Sequence, residues 1–221
     1  MPILPLHRKL RKKMHRIVAF AQDLMVLTLY EMFPTAIIHG GTCIWRCYGS
    51  NRFSEDLDIY LPTGAKGTKS MDRYIEELKR RDFQLGKFKV STDTLFAKFT
   101  YRDVVVRLEA VFKETKRVVS REYEMIDGSF IAVYTPPPEE LVREKVEAYR
   151  SRRKVRDLYD IYFLLNFIER KEDVIKDLTN LLEDFKYPVD SEELKTLIIS
   201  GAVPRVEDMF KKVEIWVRRN I

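Results

Sequence analysis

Cysteine is scarce in this sequence. Among the 221 residues, only Cys43 and Cys47 carry a thiol. Their spacing places them one helical turn apart, but no second Cys or His pair lies nearby, so a zinc site is not expected. The pattern predicts two small buried thiols. It predicts no disulfide, because we expect the protein in the reducing cytoplasm.

The sequence also lacks a long apolar run. No stretch reaches the roughly 18 residues that a membrane span requires. Residues 2–6 are apolar and a basic run follows them, which is the reverse of the order in an export signal. The hydrophobic content of 45% and charged content of 33% are typical of a globular chain. We therefore expect a cytoplasmic protein without a membrane partner. The net charge of +6 is compatible with a nucleotide or nucleic-acid partner but does not establish one.

The periodicity of apolar residues predicts an α+β protein. Three- and four-residue spacing predicts a helix over residues 6–33, and short apolar or alternating runs predict strands. The predicted strands are 35–39, 57–61, 95–101, 104–112 and 129–135, and further helices are predicted at 43–48 and 71–83. Three prolines at 136–138 precede a segment with helical patterns to the end of the chain. The sequence therefore predicts a first domain over 1–135, a mixed sheet with flanking helices, and a C-terminal helical bundle over 136–221.

Two acidic residues stand two positions apart in a predicted strand, in the tripeptide Asp56-Leu57-Asp58. Residues two apart on a strand point to the same face, so both carboxylates project together, with Cα atoms roughly 6.5–7 Å apart. Paired hard carboxylates hold Mg²⁺ together with substrate phosphates. A lone Asp-x-Asp also occurs in solvated turns, so the pair needs supporting features.

The first supporting feature is the tripeptide Gly40-Gly41-Thr42 between a predicted strand and a predicted helix. Glycines there let backbone N–H groups approach a phosphate, and a helix N-terminus favours negative charge. Gly-Gly also serves an ordinary strand-to-helix turn. The chain lacks both the Gly-x-Ser-x-Gly element of a hydrolase and the Gly-Lys-Ser/Thr ending of a P-loop.

A third carboxylate lies in the apolar run 104–112, where Glu109 interrupts β-branched residues. An acidic residue in such a run is costly to bury unless it is paired or bound to metal. Alternatively, Glu109 and Arg107 form the solvated face of an edge strand.

The segment after the prolines is dense in charge. If one helix ran through 138–160, then Lys145, Arg152, Arg156 and Asp160 would share a face that can grip a triphosphate or an RNA backbone. A solvated, ion-paired helix is the alternative interpretation of this segment. For Asp157, the alternative is a cap on a helix that begins at Leu158. The basic run over 7–16 allows the same two interpretations, RNA contact or a solvated face.

Together, these motifs resemble the AbiEii/AbiGii-type nucleotidyltransferases, the toxins of type IV toxin–antitoxin and abortive-infection systems. The resemblance covers residues 33 to 168. The matching pieces are Gly40-Gly41-Thr42-x-x-x-Arg46, then Arg52-x-Ser54-Glu55-Asp56-Leu57-Asp58, and Lys145 with Arg152-x-Lys154-x-Arg156-Asp157-Leu158-Tyr159-Asp160.

The resemblance implies a polymerase-β-like nucleotidyltransferase core that binds an NTP with Mg²⁺, or Mn²⁺, and an RNA acceptor such as tRNA. It implies metal ligation by Asp56 and Asp58, with Glu109 where the superfamily usually has Asp. It also implies that Lys145 and Asp157 or Asp160 complete the site. The implied phosphate- and substrate-binding residues are Gly40, Gly41, Thr42, Arg46, Arg52, Ser54, Arg152 and Arg156. A cognate antitoxin is an expected partner.

The expected reaction is attack of an acceptor hydroxyl on the α-phosphorus of the NTP, with pyrophosphate leaving. Two alternatives remain open from the sequence. The acceptor could be a protein side chain or a small molecule, or the chain could be a non-catalytic nucleotide- or RNA-binding module.

Overall fold

A computed structural model describes residues 5–221, and most of the apolar stretch 2–6 lies outside them. The chain forms two compact units. Unit 1 comprises Met1–Gly49 and Phe53–Thr135, and unit 2 comprises Ser50–Arg52 and Pro136–Ile221. In the described part of the chain, no helix is long and apolar enough to cross a membrane.

Unit 1 is built on a mixed seven-stranded sheet in the order β3-β4-β5-β2-β1-β7-β6. Its strands are β1 Ile37–His39, β2 Leu57–Leu61, β3 Gln84–Val90, β4 Thr94–Tyr101, β5 Val104–Phe112, β6 Val119–Glu124 and β7 Phe130–Thr135. The β1–β7 and β2–β5 pairs are parallel, and the other neighbours are antiparallel. The α+β class and the mixed sheet are confirmed.

The helices of unit 1 are α1 Leu6–Lys9, α2 Lys13–Met32, α3 Gly40–Tyr48 and α4 Lys69–Arg80. Helix α2 buries Val18, Met25 and Leu29, and it packs against α4 and β5. The spacing of these three residues follows the helical period, which explains why the sequence predicts this helix. The predicted helix over 6–33 is nevertheless two helices, because the chain is extended at Leu10.

Strand β5 lies inside the sheet, between β4 and β2. The interpretation of Glu109 as part of an edge strand is therefore wrong. A hairpin joins β4 and β5, and Arg102 and Asp103 adopt φ values of +43° and +66° at its tip. Alternate side chains of β4 and β5 are buried, as period-two patterning requires.

Unit 2 is helical, with α5 Pro138–Arg152, α6 Val155–Leu164, α7 Ile175–Glu183, α8 Leu194–Leu197 and α9 Val206–Arg218. The segment Ser50–Arg52 joins it through a bridge between Arg52 and Ile198. One continuous helix does not run through 138–160, because Arg153 takes a left-handed conformation with φ +49°. Helix α6 begins at Val155, so Asp157 lies in its first turn rather than before it.

Candidate active site

Two carboxylates stand side by side on neighbouring parallel strands of unit 1. Asp58 of β2 is the register partner of Glu109 of β5. Partners in register point to the same face of a sheet, and adjacent strands lie about 4.8 Å apart. Asp58 is half-buried and Glu109 is exposed. The pairing therefore presents two carboxylates next to each other on the solvent-facing side of the sheet.

Gly40 makes room for the Asp58 carboxylate. A Cβ atom on Gly40 would lie 2.0 Å from Asp58 Oδ2, closer than any real contact, and Gly40 has a φ of +67°. Only glycine satisfies both conditions without strain. Gly40 opens α3 and is followed by Gly41, so Asp58 packs against the N-terminus of that helix. The partial positive charge of a helix N-terminus stabilises an anion there.

Asp56 is held differently from Asp58. Arg107 of β5 grips the Asp56 carboxylate as a fork, with Nε–Oδ1 at 2.5 Å and Nη2–Oδ2 at 3.0 Å. These hydrogen bonds, which Arg107 donates to the Asp56 carboxylate, raise the pKa of Arg107 above its ordinary value. The Arg107 side chain is 44% exposed, so it can move away without unfolding the strand. Both oxygens of the Asp56 carboxylate therefore accept hydrogen bonds from Arg107 in this structure.

The carboxylates of unit 1 fit a Mg²⁺ ion that is shared with substrate phosphates. Within residues 5–221, no three His, Cys, Asp or Glu side chains form a ready-made metal cage. Mg²⁺ rarely uses such a cage, because it keeps several waters and takes one or two carboxylates together with substrate phosphates. Asp58, which occupies the Gly40 recess, and Glu109, its register partner, are two such carboxylates. Asp56 lies two residues before Asp58 in the sequence.

Buried hydrogen bonds from α2 and α3 hold the loop before β2. The Thr42 hydroxyl donates to the backbone carbonyl of Asp56. The Gln22 side-chain amide donates to Thr42 Oγ1 at 3.3 Å and to the Ser54 carbonyl at 3.0 Å. Thr42 and Gln22 are both fully buried. Thr42 therefore positions the Asp56 backbone, a role that differs from the phosphate contact expected from the sequence.

Arg46 lies in the core of unit 1, where it is 2% exposed and forms an ion pair with Asp23. Its guanidinium stacks over the rings of Trp45 and Tyr123, at 4.8 and 4.5 Å from their centroids. Burial raises the pKa of Asp23 to about 6, and the charge of Arg46 offsets this only in part. The expected substrate contact by Arg46 is corrected accordingly, because a buried guanidinium does not reach a ligand at the surface.

The sequence reasoning did not single out Gln22 or Asp23. Both are buried polar residues of α2: Gln22 shares a face with Val18 and Met25, and Asp23 shares one with Ala19 and Val26. A polar residue on an apolar helix face is the signal that could have identified them, because such a residue needs a buried partner.

Unit 2 contains a buried network of five charged side chains. Asp160 accepts a fork from Arg52, with N–O distances of 2.7 and 2.8 Å, and an ion pair from Lys145 Nζ at 2.9 Å. Asp157 accepts a fork from Arg152, with both distances 2.8 Å, and lies 3.6 Å from Lys145 Nζ. Among these five side chains, three cations face two carboxylates.

The network lowers the pKa of Asp160. Burial alone would raise the pKa of Asp160, but the charges of Arg52 and Lys145 outweigh burial and hold the pKa below its usual value. Arg52 is 3% exposed and Asp160 is fully buried. The expected phosphate contact by Arg52 is therefore corrected to an ion pair inside unit 2. Arg152 is 44% exposed, so it is the cation of this group that meets solvent.

Arg156 is half-buried in α6, and its Nε is a buried donor without a hydrogen-bond partner among residues 5–221. A buried donor left unsatisfied is destabilising. Its predicted contact with phosphate or RNA stays a prediction.

The sequence profile of the nucleotidyl transferase AbiEii toxin family, of the type IV toxin–antitoxin system, matches residues 23–211. The chain belongs to this family. The chain is thus a nucleotidyltransferase, and the prediction of its family is confirmed. A search of curated proteins found no significant match.

Solved structures agree on the fold. One is JHP933 from Helicobacter pylori, with 17% identity, a TM-score of 0.61, and coverage of 95% of this chain and 92% of that chain. Another is MenT4, a nucleotidyltransferase toxin from Mycobacterium tuberculosis, with 16% identity, a TM-score of 0.59, and coverage of 92% and 82%. At these identities the likeness concerns the fold alone.

Within this nucleotidyltransferase, the predicted residues fall into two sets. The carboxylates Asp56, Asp58 and Glu109 and the turn at Gly40 gather in unit 1. The residues Lys145, Asp157 and Asp160 gather in unit 2. The first set presents carboxylates on one face of the sheet, and the second forms a buried, ion-paired cluster.

Proposed function

We propose that this AbiEii-family toxin transfers a nucleotide from an NTP to an RNA acceptor, such as the end of a tRNA, in a reaction that depends on Mg²⁺. The observation that carries the proposal is the register of Asp58 with Glu109 beside the Gly40 recess. It supports one oxygen-rich position where a metal ion and a triphosphate fit together.

Each site residue of unit 1 has a proposed role. Asp58, Glu109 and, once released by Arg107, Asp56 would hold Mg²⁺, or Mn²⁺ in its place. The bound ion would neutralise charge on the triphosphate. The backbone of Gly40 and Gly41 at the start of α3 offers N–H donors to phosphate oxygens.

Glu109 faces solvent and accepts the proton of the acceptor hydroxyl, which then attacks the α-phosphorus while pyrophosphate leaves. In unit 2, Lys145 remains the proposed triphosphate-binding cation. Asp157 and Asp160 orient its ammonium, at 3.6 and 2.9 Å.

Label transfer tests the proposal. The chain is incubated with Mg²⁺, one radiolabelled NTP at a time and a total tRNA pool, and the labelled product is identified. We expect Asp58→Asn to reduce transfer at least about 100-fold, because loss of even an indirect metal contact costs 10–100-fold. The matched control is Asp72→Asn, an exposed carboxylate of α4, which keeps full transfer.

The product of that assay also decides the acceptor. Label on a protein or a small molecule, with none on RNA, would overturn the RNA acceptor and retain the enzyme. NTP binding that needs no Mg²⁺ and leads to no product would indicate a binding module instead.

We also propose a cognate antitoxin that restrains the enzyme, and the cytoplasm as the place where NTPs and tRNA are available to it. The type IV toxin–antitoxin family supports both. Co-expression tests the antitoxin, since the neighbouring gene product should relieve the growth arrest caused by this chain and not that caused by an unrelated toxin.

A further inference from the structure

A row of side chains crosses the solvent-facing side of the unit 1 sheet and begins at the proposed metal ligands. Asp58 pairs with Glu109, Glu109 pairs with Phe96 of β4, and Phe96 pairs with Lys89 of β3. Paired residues share a face. Three strand spacings of about 4.8 Å separate the ends of the row, so it is about 14 Å long.

Basic side chains surround the aromatic ring in this row. Lys87 Nζ lies 5.7 Å from the centroid of the Phe96 ring. Lys98 occupies the neighbouring row, in register with Arg107. Lys87, Lys89 and Lys98 are exposed, and Phe96 is half-buried. We call Phe96 with these three lysines the basic platform.

Within the described residues, no ion pair joins Lys87, Lys89 or Lys98 to an acidic side chain. The other face of β4 and β5 is buried, and α2 packs against both strands. An aromatic ring among unpaired lysines, on an open sheet face, has the chemistry that binds single-stranded nucleic acid, because bases stack on the ring and phosphates contact the ammonium groups.

We infer that the basic platform holds the single-stranded 3′ end of the RNA acceptor. This inference rests on the proposed function. The terminal base stacks on Phe96, the preceding phosphates contact Lys87, Lys89 and Lys98, and the terminal hydroxyl is delivered to Glu109 in the adjacent strand. An unpaired end fits the platform, because each base inside a duplex has both faces covered by its neighbours.

Fluorescence anisotropy tests the platform without NTP or metal, so the result does not depend on catalysis. The probe is a 5′-labelled RNA hairpin with a four-nucleotide 3′ overhang, and the comparison probe is the same hairpin with a blunt end. The full chain is used with EDTA present. We expect Phe96→Ala to weaken binding of the overhang probe by about 5- to 150-fold, the loss of one stacked base. Binding of the blunt probe should change far less.

The lysines are tested by salt dependence. The triple substitution Lys87→Gln, Lys89→Gln and Lys98→Gln should reduce the slope of log K against log [salt] by about 2, because each lost contact to single-stranded phosphate reduces it by about 0.7. The matched control replaces three exposed lysines of unit 2, by Lys171→Gln, Lys176→Gln and Lys211→Gln, which removes the same charge elsewhere. This control should keep the slope.

Phe96→Trp, which keeps an aromatic face, should restore overhang binding, and circular dichroism checks that each variant is folded. An unchanged affinity of Phe96→Ala for the overhang probe overturns the inference. Loss of NTP binding by calorimetry with RNA affinity intact also overturns it, because the ring would then hold the incoming nucleotide.

The outcome is separable from that of the proposed function. Platform variants that lose overhang binding support the platform, even if no RNA takes label from any NTP. In the reverse case, RNA labelling by Phe96→Ala with an unchanged KM for RNA rejects the platform and retains the transferase.

Discussion

Removing the Asp160 carboxylate should destabilise the protein through its buried partners. In Asp160→Asn, Arg52 at 3% exposure and Lys145 at 7% exposure lose the carboxylate that neutralises them. Breaking a buried ion pair by removing one partner costs about 3–5 kcal/mol. For a chain of this size, each kcal/mol lowers the Tm by about 2–4 °C, so we expect a Tm lower by roughly 6–20 °C.

Thermal denaturation followed by circular dichroism at neutral pH measures the Tm of each variant. The matched control is Asp208→Asn, which also breaks an Arg–Asp fork in unit 2, to Arg205 at 2.9 and 3.1 Å, but one that is exposed. The control should leave the midpoint unchanged, because exposed pairs contribute little. Equal midpoints for the two variants would refute the reasoning.

The same variant separates support from catalysis. If Asp160→Asn is inactive at 37 °C but regains transfer at a temperature where it is folded, Asp160 acts by holding Arg52 and Lys145. The contribution of Asp160 to stability also depends on pH. Its pKa in the folded protein lies below the ordinary 3.8, so the contribution is complete above that value and is lost as the pH falls through the folded pKa.

Three further predictions concern unit 1. Gly40→Ala should abolish Mn²⁺ binding in a paramagnetic resonance titration, because the added Cβ occupies the position of a ligand carboxylate, whereas Gly49→Ala, with a φ of +73° and open space around it, should add only backbone strain. Arg107→Ala should tighten Mn²⁺ binding without nucleotide by up to about fivefold, since it frees Asp56 from a pair of about 0–1 kcal/mol. Asp23→Asn should flatten the stability profile between about pH 4 and 6. In the folded wild type, the pKa of the Asp23 carboxyl is raised to about 6. In this pH range the folded state therefore binds the proton more tightly than the unfolded state does, so the free energy of unfolding falls as the pH rises.

Each of these has an outcome that contradicts it. Equal loss of Mn²⁺ binding in the two glycine variants would mean that strain, and not the clash, removes the site. Weaker Mn²⁺ binding in Arg107→Ala would show that the arginine supports the metal position. A wild-type slope in Asp23→Asn would assign the pH dependence to other groups.

The sequence missed two strands for an identifiable reason. Strands β3 and β6 are the two edges of the sheet. All but one residue of β3 is exposed, and three of the six residues of β6, Arg121, Glu122 and Glu124, are charged. Strand β6 lacks the apolar alternation by which a strand is predicted, and in β3 this alternation covers only residues 87–90. Charged, solvated edge strands also discourage pairing with other chains.

The break between α5 and α6 was not visible in the sequence either. Neither Gly nor Pro stands in the segment 150–156. The break is stabilised from a distance, because Asp190 accepts a hydrogen bond from the Val155 N–H at 2.7 Å and pairs with Lys154. No local pattern reveals a helix cap that comes from 35 positions later in the chain.

The sequence by itself predicted the α+β class and the family, and both predictions are confirmed. It also led to the hypothesis that Asp56 and Asp58 bind a metal ion. These depend on local spacing, on alternation along a strand and on glycines at a turn. The tertiary structure decided which side chains meet. It places Glu109 in register with Asp58, which lies 51 positions earlier in the sequence. It also pairs Asp56 with Arg107 and buries Arg46 and Arg52. Strand register and burial arise from contacts between distant segments, which residue spacing does not encode.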